Sequence, residues 1–154
     1  MQPITITYKG YTITTDKSLM KVEDIHKWIS ERSYWAMDIP FELFKRSFDN
    51  SFCIGALAND KQIGFARFCT DYAIFGYMAD VYVAEEHRGQ GISKKMIEVL
   101  LDLDWVKELR TIRLGTMDAH ELYRQFGFTE LKNPERMMEI TRFGIYQKPL
   151  HPSR

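Results

Sequence analysis

Residues 74–93 constrain the fold more than any other stretch. Residues 74–83 form a strand-like run, apolar until Asp80, and residues 84–90 follow at once as a polar turn. From Gly91 to Leu103 the apolar residues Ile92, Met96, Val99, Leu100 and Leu103 share one face, with Lys94, Lys95, Glu98 and Asp102 largely on the other. That is an amphipathic helix. A strand, a tight turn and a helix therefore follow one another without a linker. Gly89 and Gly91 let the backbone of the turn approach a ligand with no Cβ in the way. The free N–H groups of the helix start, at the positive end of its dipole, suit an anionic phosphate. A strand-to-helix junction that needs glycine for geometry alone would read the same way. The P-loop pattern GxxxxGK[ST] is absent, and a GxGxxG dinucleotide fingerprint fails at Lys94, with no βαβ unit before it.

The rest of the chain supplies a sheet for this junction. Thr5–Tyr8 and residues 11–15 alternate Ile and Thr around Lys9-Gly10, as paired strands do. Residues 16–32 place Val22, Ile25, Trp28 and Ile29 at helical spacing, with Asp16 or Ser18 as cap. Pro40 opens a second short helix carrying Phe41, Leu43, Phe44 and Phe48. Phe52–Ala58 and residues 62–70 are strand runs joined by Asn59-Asp60-Lys61, a hairpin signal. Thr111–Leu114 is a short strand, residues 118–126 a short helix ended by Gly127, and residues 128–131 and 137–140 final strands around an Asn133-Pro134 turn. This order predicts one α+β domain over residues 1–154, its tail frayed from about Gln147. Its sheet is mixed, mostly antiparallel and flanked by helices.

At 154 residues, with 45% hydrophobic and 27% charged residues, the chain can bury a core without a disulfide or a metal. Lys plus Arg equals Asp plus Glu at 21 each, leaving no global field for nucleic acid or a membrane surface. The first ten residues lack a signal-peptide pattern, and no run approaches the ~18 apolar residues of a membrane span. With a two-residue turn at Asn59-Asp60, Cys53 faces Ala66 and Cys69 lies about three residues further along, too far for a bridge at ~3.3 Å per residue. Both thiols are expected reduced, in a cytoplasmic protein that binds neither nucleic acid nor membrane. No metal is expected, since no histidine has a partner at ligand spacing. A homodimer is compatible with the sequence.

Arg88-Gly89-Gln90-Gly91-Ile92-Ser93 resembles the Arg/Gln-x-x-Gly-x-Gly/Ala pyrophosphate loop of the GNAT N-acetyltransferases, departing from it at Ser93. Residues 114–128, ending Leu122-Tyr123-Arg124-Gln125-Phe126-Gly127-Phe128, look like that family's strand, helix and LYxxxGF ending, with Thr116 where an Asn is frequent. The two motifs stand in the family's order. The resemblance runs roughly from Ser18 to Ile140 and is nearest to bacterial single-domain members with a Ser33-Tyr34-Trp35 and Pro40 segment, a Gly64-Phe65-Ala66-Arg67 run and an Asp118-Ala119-His120 run.

The resemblance implies an acetyl-CoA-dependent N-acetyltransferase acting on a small-molecule or peptide amine by direct attack. Val81, Tyr82, Val83, Arg88, Gly89, Gln90, Gly91, Ile92, Ser93 and Lys94 would then hold the cosubstrate. Tyr123 would be the general acid for the departing thiolate, although packing against Phe126 and Phe128 explains a tyrosine there too. Asp80 and His120 are the candidate bases, each with a structural alternative: a loop-holding carboxylate and a capping histidine. Tyr34, Trp35, Asp71 and Tyr72 fall in segments that shape the acceptor pocket of similar enzymes, and core aromatics with a hairpin-end acid are the alternative. A non-catalytic acyl-CoA sensor on the same fold is the second reading. An interaction protein using Trp28, Tyr34 and Trp35 is the third.

Overall fold

The computed structural model describes residues 1–147. Strands β1 (Thr5–Tyr8), β2 (Tyr11–Thr14), β3 (Phe52–Ala58), β4 (Lys61–Thr70), β5 (Phe75–Val83) and β6 (Thr111–Leu114) form one sheet in chain order. Every neighbouring pair is antiparallel except β5 and β6, which run parallel. Helices α1 (Val22–Arg32) and α2 (Phe41–Asp49) precede β3, α3 (Ile92–Leu101) and α4 (Asp104–Lys107) connect β5 to β6, and α5 (His120–Arg124) follows. The mixed, mostly antiparallel α+β sheet read from the sequence is the one that forms.

Alternation along the central strands gives each face its own core. Cys53, Phe65 and Tyr82 point to one face and pack with Ile25 and Ile29 of α1 and Phe44 and Phe48 of α2. Their chain neighbours Ile54, Ala66 and Val83 point to the other, against Ile92 and Met96 of α3. Burying a Phe or Ile of this kind stabilises the fold by roughly 1.5–3 kcal/mol. Among the described residues no helix is long and apolar enough to cross a membrane.

Four details differ from the sequence-based expectation. Residues 16–32 do not form one helix: Asp16 Oδ1 accepts the Ser18 N–H over a single turn, Lys17–Leu19, and Met20 is extended before α1 begins. Asp104–Lys107 adds a one-turn helix that its four residues were too few to announce. The final strands expected at 128–131 and 137–140 are absent, because neither stretch pairs with the sheet and a short turn, Pro134–Arg136, lies between them. Cys53 faces Arg67, and Ile54 faces Ala66, because a bulge at Ile63 inserts one residue into β4. Both cysteines are free thiols. The tail expected to fray lies, apart from Gln147, outside the described residues.

One irregularity bends the sheet at its centre. Phe65 pairs with Tyr82 and Arg67 with Ala79, so Asp80 and Val81 together oppose Ala66. Asp80 adopts φ +54°. Such a bulge bends its strand and increases the local twist. On its other side β5 pairs with β6 only up to Met78 and Leu114. Beyond that point the β6-facing edge of residues 79–83 has no strand beside it, and the two parallel strands part.

Candidate active site

A cavity of about 590 Å³ opens where β5 and β6 separate, lined by Tyr34, Trp35, Arg67, Asp80, Thr116 and Tyr123 among others. The segment between α1 and α2 closes over it and touches β5 and the loop that follows β6. The Trp35 indole N–H donates to Asp80 Oδ1 at 2.7 Å on the β5 side. The Tyr34 hydroxyl accepts the Met117 N–H at 3.2 Å on the β6 side. The two rings meet edge to face, 4.9 Å between centroids. Trp28 stacks on Tyr82 at 3.9 Å behind them.

Asp80 is held from two directions. Arg67 Nε donates to Oδ2 at 2.7 Å while Trp35 occupies Oδ1. Arg67 also reaches Ser51 Oγ at 3.1 Å and Cys69 Sγ at 2.9 Å. Burial by itself would lower the Arg67 pKa, but the adjoining carboxylate more than offsets this and holds it above its usual value. In the sequence Arg67 stands out only as part of a family-like run. A single guanidinium in the largely apolar stretch 63–69 was the signal that it serves a buried partner.

Tyr123 sits on α5 at the floor of the cavity, 8% exposed, with its ring edge-on to Phe128 at 5.8 Å. Burial, with smaller contributions from Tyr34 and Asp118, pushes its phenol up to about 12. The two readings of this residue thus coexist: it packs and it faces the cleft. His120, the first residue of α5, is exposed and lines a neighbouring cavity beside β6 that also reaches Tyr123. It does not line the cavity that holds Asp80.

The glycine turn leaves the far end of β5. Gly89 and Gly91 take φ +82° and +77°, the left-handed region that glycine enters freely. A Cβ on Gly89 would project into open space, and one on Gly91 would meet the Tyr8 hydroxyl at 2.8 Å. Gly91 caps α3 without a side-chain hydrogen bond, so the first N–H groups of that helix have no side-chain cap. The outward-facing carbonyl of Gln90 accepts from Tyr8 and Lys9 at 3.4 and 3.1 Å, and Arg88 Nε donates to the Val83 carbonyl at 3.0 Å. Tyr11 and His87 hydrogen-bond at 2.9 Å. Tyr8, Lys9 and Tyr11 were missed in the sequence because they reach the turn from the β1–β2 hairpin, about 80 residues away. Lys94 and Ser93 lie on the first turn of α3, Lys94 exposed. Of the strand residues, Val81 lines the cavity, while Tyr82 and Val83 point into the two cores.

Asp71 and Tyr72 are not brought to the cavity. They form the turn at the opposite end of the β4–β5 hairpin from Val83, where Asp71 Oδ1 accepts the N–H groups of Ala73, Ile74 and Phe75. Those three bonds hold the Asp71 carboxyl below its usual range. Tyr72 lies against Trp105, 4.9 Å between centroids. Among the described residues no group of His, Cys, Asp and Glu is arranged to hold a metal ion.

An antiparallel sheet that ends in two parting parallel strands, with a glycine turn feeding a helix from one of them, defines an acyltransferase of the acetyltransferase fold. The profile described as "Acetyltransferase (GNAT) family" matches residues 22–128. A crystal structure from Xanthomonas campestris pv. campestris, classed as an acetyltransferase of the GNAT family, superposes with TM-score 0.87 at 39% identity, covering 90% of this chain and 97% of that one. A Gibberella zeae protein classed as an acetyltransferase is 28% identical over 161 residues, 91% of each chain. The Bos taurus thialysine N-epsilon-acetyltransferase is 35% identical over 63 residues, 38% of this chain and 37% of its own. The chain belongs to the GNAT acetyltransferase family.

Proposed function

We propose that the protein moves an acetyl group from acetyl-CoA to a primary amine, of a small molecule or a peptide, by direct attack, with Tyr123 as general acid. The observation that carries this reading is the parting of β5 and β6 directly above the Tyr123 side chain. Beyond Met78 the edge of β5 that faces β6 has no strand beside it, and its N–H and C=O groups would pair with the pantetheine amides as an added strand does. The glycine turn and the start of α3 would take the diphosphate, and the open space at Gly89 suits that close approach. The family relative that acts on thialysine, a side-chain amine, supports an amine acceptor.

In this reading the amine nitrogen forms the new bond to the acetyl carbon as the carbon–sulfur bond breaks. Tyr123 passes its hydroxyl proton to the sulfur, and the proton that the attacking nitrogen sheds on becoming an amide returns to the phenolate through solvent. A phenol raised to about 12 stays protonated throughout the working range, so the donor is always loaded. An alkylamine of pKa near ~10.4 must first lose a proton, at roughly 4–5 kcal/mol at pH 7. Neither candidate base stands free to accept it, since both Asp80 oxygens are engaged and His120 lines the other cavity. Solvent takes this proton. We place the protein in the cytoplasm, where both thiols stay reduced.

Acetyl-CoA-dependent thiol release across a panel of amines, amino acids and peptides tests the proposal, paired with a thermal shift by CoA. Release with any amine supports it. Binding of CoA with no release across the panel would leave the acyl-CoA sensor, and no shift at millimolar CoA would leave neither.

A further inference from the structure

The glycine turn is gripped from the tip of the β1–β2 hairpin. Lys9 and Gly10 take φ +49° and +82° and close a two-residue turn in which Tyr8 faces Tyr11. Directly opposed residues share a face, and both rings pack on the core that α3 covers. Their hydroxyls therefore emerge beside the turn that begins α3. Tyr11 meets His87 at 2.9 Å, and Tyr8 reaches the Gln90 carbonyl at 3.4 Å. Lys9 Nζ donates to that same carbonyl at 3.1 Å. The Lys9 ammonium also stands 5.3 Å from the Tyr8 ring centroid, so the ring steadies it there.

The Gln90 carbonyl decides where the turn points its donors. The peptide between Gln90 and Gly91 is planar and trans, so its C=O and N–H point in opposite directions. The hairpin lies on the β1 side of β5 and the cleft on the β6 side. A carbonyl drawn toward the hairpin thus turns the Gly91 N–H toward the cleft side. Helix bonding at the start of α3 begins with the Lys95 N–H on the Gly91 carbonyl, so the helix does not use the Gln90 carbonyl. Among the described residues the N–H groups of Gly89, Gln90 and Gly91 have no backbone acceptor. Glycine enters either sign of φ at little cost, so with nothing on its carbonyl this peptide would flip readily. The flipped form turns a carbonyl oxygen, in place of an N–H, toward an anion.

We infer that Lys9 and Tyr8 are positioning residues for the cosubstrate: by holding the Gln90 carbonyl they keep the Gly91 N–H aimed at the diphosphate. This rests on the reading that the diphosphate binds at the glycine turn. Both residues touch the turn and neither reaches the reacting atoms, so they set affinity and leave the chemical step alone. A ligand that binds only the ready form loses affinity in proportion to the fraction of turns in that form.

Lys9→Met and Tyr8→Phe, with Lys9→Arg as the conservative variant, test this by calorimetry with CoA and by kinetics with two thioesters. Acetyl-CoA is one; S-acetylpantetheine, the other, carries the reacting group without the diphosphate. The CoA Kd should rise about tenfold in Lys9→Met and about threefold in Tyr8→Phe, whose contact is longer. KM for acetyl-CoA should follow while kcat stays within about twofold. kcat/KM for S-acetylpantetheine should not move, and Lys9→Arg should recover most of the loss. Lys9 is exposed and Tyr8→Phe keeps its ring on the core, so each variant retains the fold. An unchanged Kd in both variants, with CoA bound, would overturn the inference and leave the turn's own role standing. Equal losses for the two thioesters would make the hairpin a general support of the fold, which also overturns it. So would a loss in Lys9→Met alone that 3′-dephospho-CoA does not show, since Lys9 would then contact the 3′-phosphate. A parent protein with the same KM for S-acetylpantetheine as for acetyl-CoA would sink the diphosphate reading itself, and the positioning role with it.

Discussion

Arg67 and Asp80 meet across β4 and β5 at 2.7 Å, and Asp80 reaches this position only because the bulge gives it φ +54°. Asp80 is 8% exposed, so the pair is largely withdrawn from water. Asp80→Asn keeps the shape, tolerates the left-handed backbone and still accepts from Trp35, but leaves Arg67 without its counter-charge. We expect a loss of about 3 kcal/mol in urea unfolding, with kcat reduced less than tenfold. Adding Arg67→Met should recover most of that stability. A double variant as unstable as the two single losses added would show the pair to be uncoupled. A kcat loss of about 10²–10⁴ in Asp80→Asn would instead make Asp80 the base.

Gly91 combines two constraints, a φ of +77° and a Tyr8 hydroxyl 2.8 Å from where a Cβ would stand. Gly91→Val should therefore cost about 1–2 kcal/mol in backbone strain while the fold survives by circular dichroism. CoA affinity, read by calorimetry, should fall at least tenfold, about 1.4 kcal/mol. Undiminished affinity in a folded variant would move the diphosphate away from this turn.

Burial should make the fold sensitive to alkali. The Cys53 thiol rises from 9.0 to about 12 and the Tyr123 phenol from 10.0 to about 12, both through desolvation first, and Tyr82 is raised by the same cause. Each folded pKa lies above its unfolded value, so the unfolded chain ionises first. Stability is whole below pH 9 and is lost as pH climbs toward 12. Cys53 alone accounts for about 4 kcal/mol at the far end of that window. Urea midpoints measured from pH 8 to 11 should decline from about pH 9, and Cys53→Ala should postpone the decline to about pH 10. An identical decline in both proteins would remove Cys53 from the account.

The sheet was legible in the sequence because its signals are local. Alternation marked the first two strands and apolar runs the central ones, Asn59-Asp60 marked a hairpin, and Gly89 and Gly91, both at positive φ, marked a turn. What escaped depends on register or on distant contacts. A one-residue bulge at Ile63 moved Cys53 from Ala66 to Arg67, and no residue type in β4 announces it. Asp71 was read either as a pocket contact or as a hairpin-end acid, and its bonds to three successive N–H groups make it the second. Of the site, Tyr34, Trp35, Asp80 and Tyr123 were named and do line one cavity, while Arg67 became a site residue only when the bulge placed Asp80 against it. Residues 137–140 read as a strand from their own side chains. In the single chain nothing pairs with them, so pattern without a partner gives no strand.

Tyr123→Phe separates catalysis from packing. The substitution removes one hydroxyl and keeps the ring against Phe128. If the residue only packs, stability shifts by less than ~1.5 kcal/mol and turnover survives. If it delivers the proton to sulfur, CoA affinity stays within about twofold while kcat falls by about 10²–10⁴. We expect the second outcome, and equal kcat in the two proteins across the pH range would reduce Tyr123 to packing. The pH profile adds an independent check. With its phenol at about 12, Tyr123 stays protonated through pH 10, so it puts no alkaline limb on the parent rate below that. kcat/KM should climb with pH at unit slope until the acceptor's own pKa, because solvent takes the amine proton. A kcat loss of about 10²–10⁴ in His120→Ala with CoA affinity kept would assign that proton to His120 and remove solvent from the mechanism.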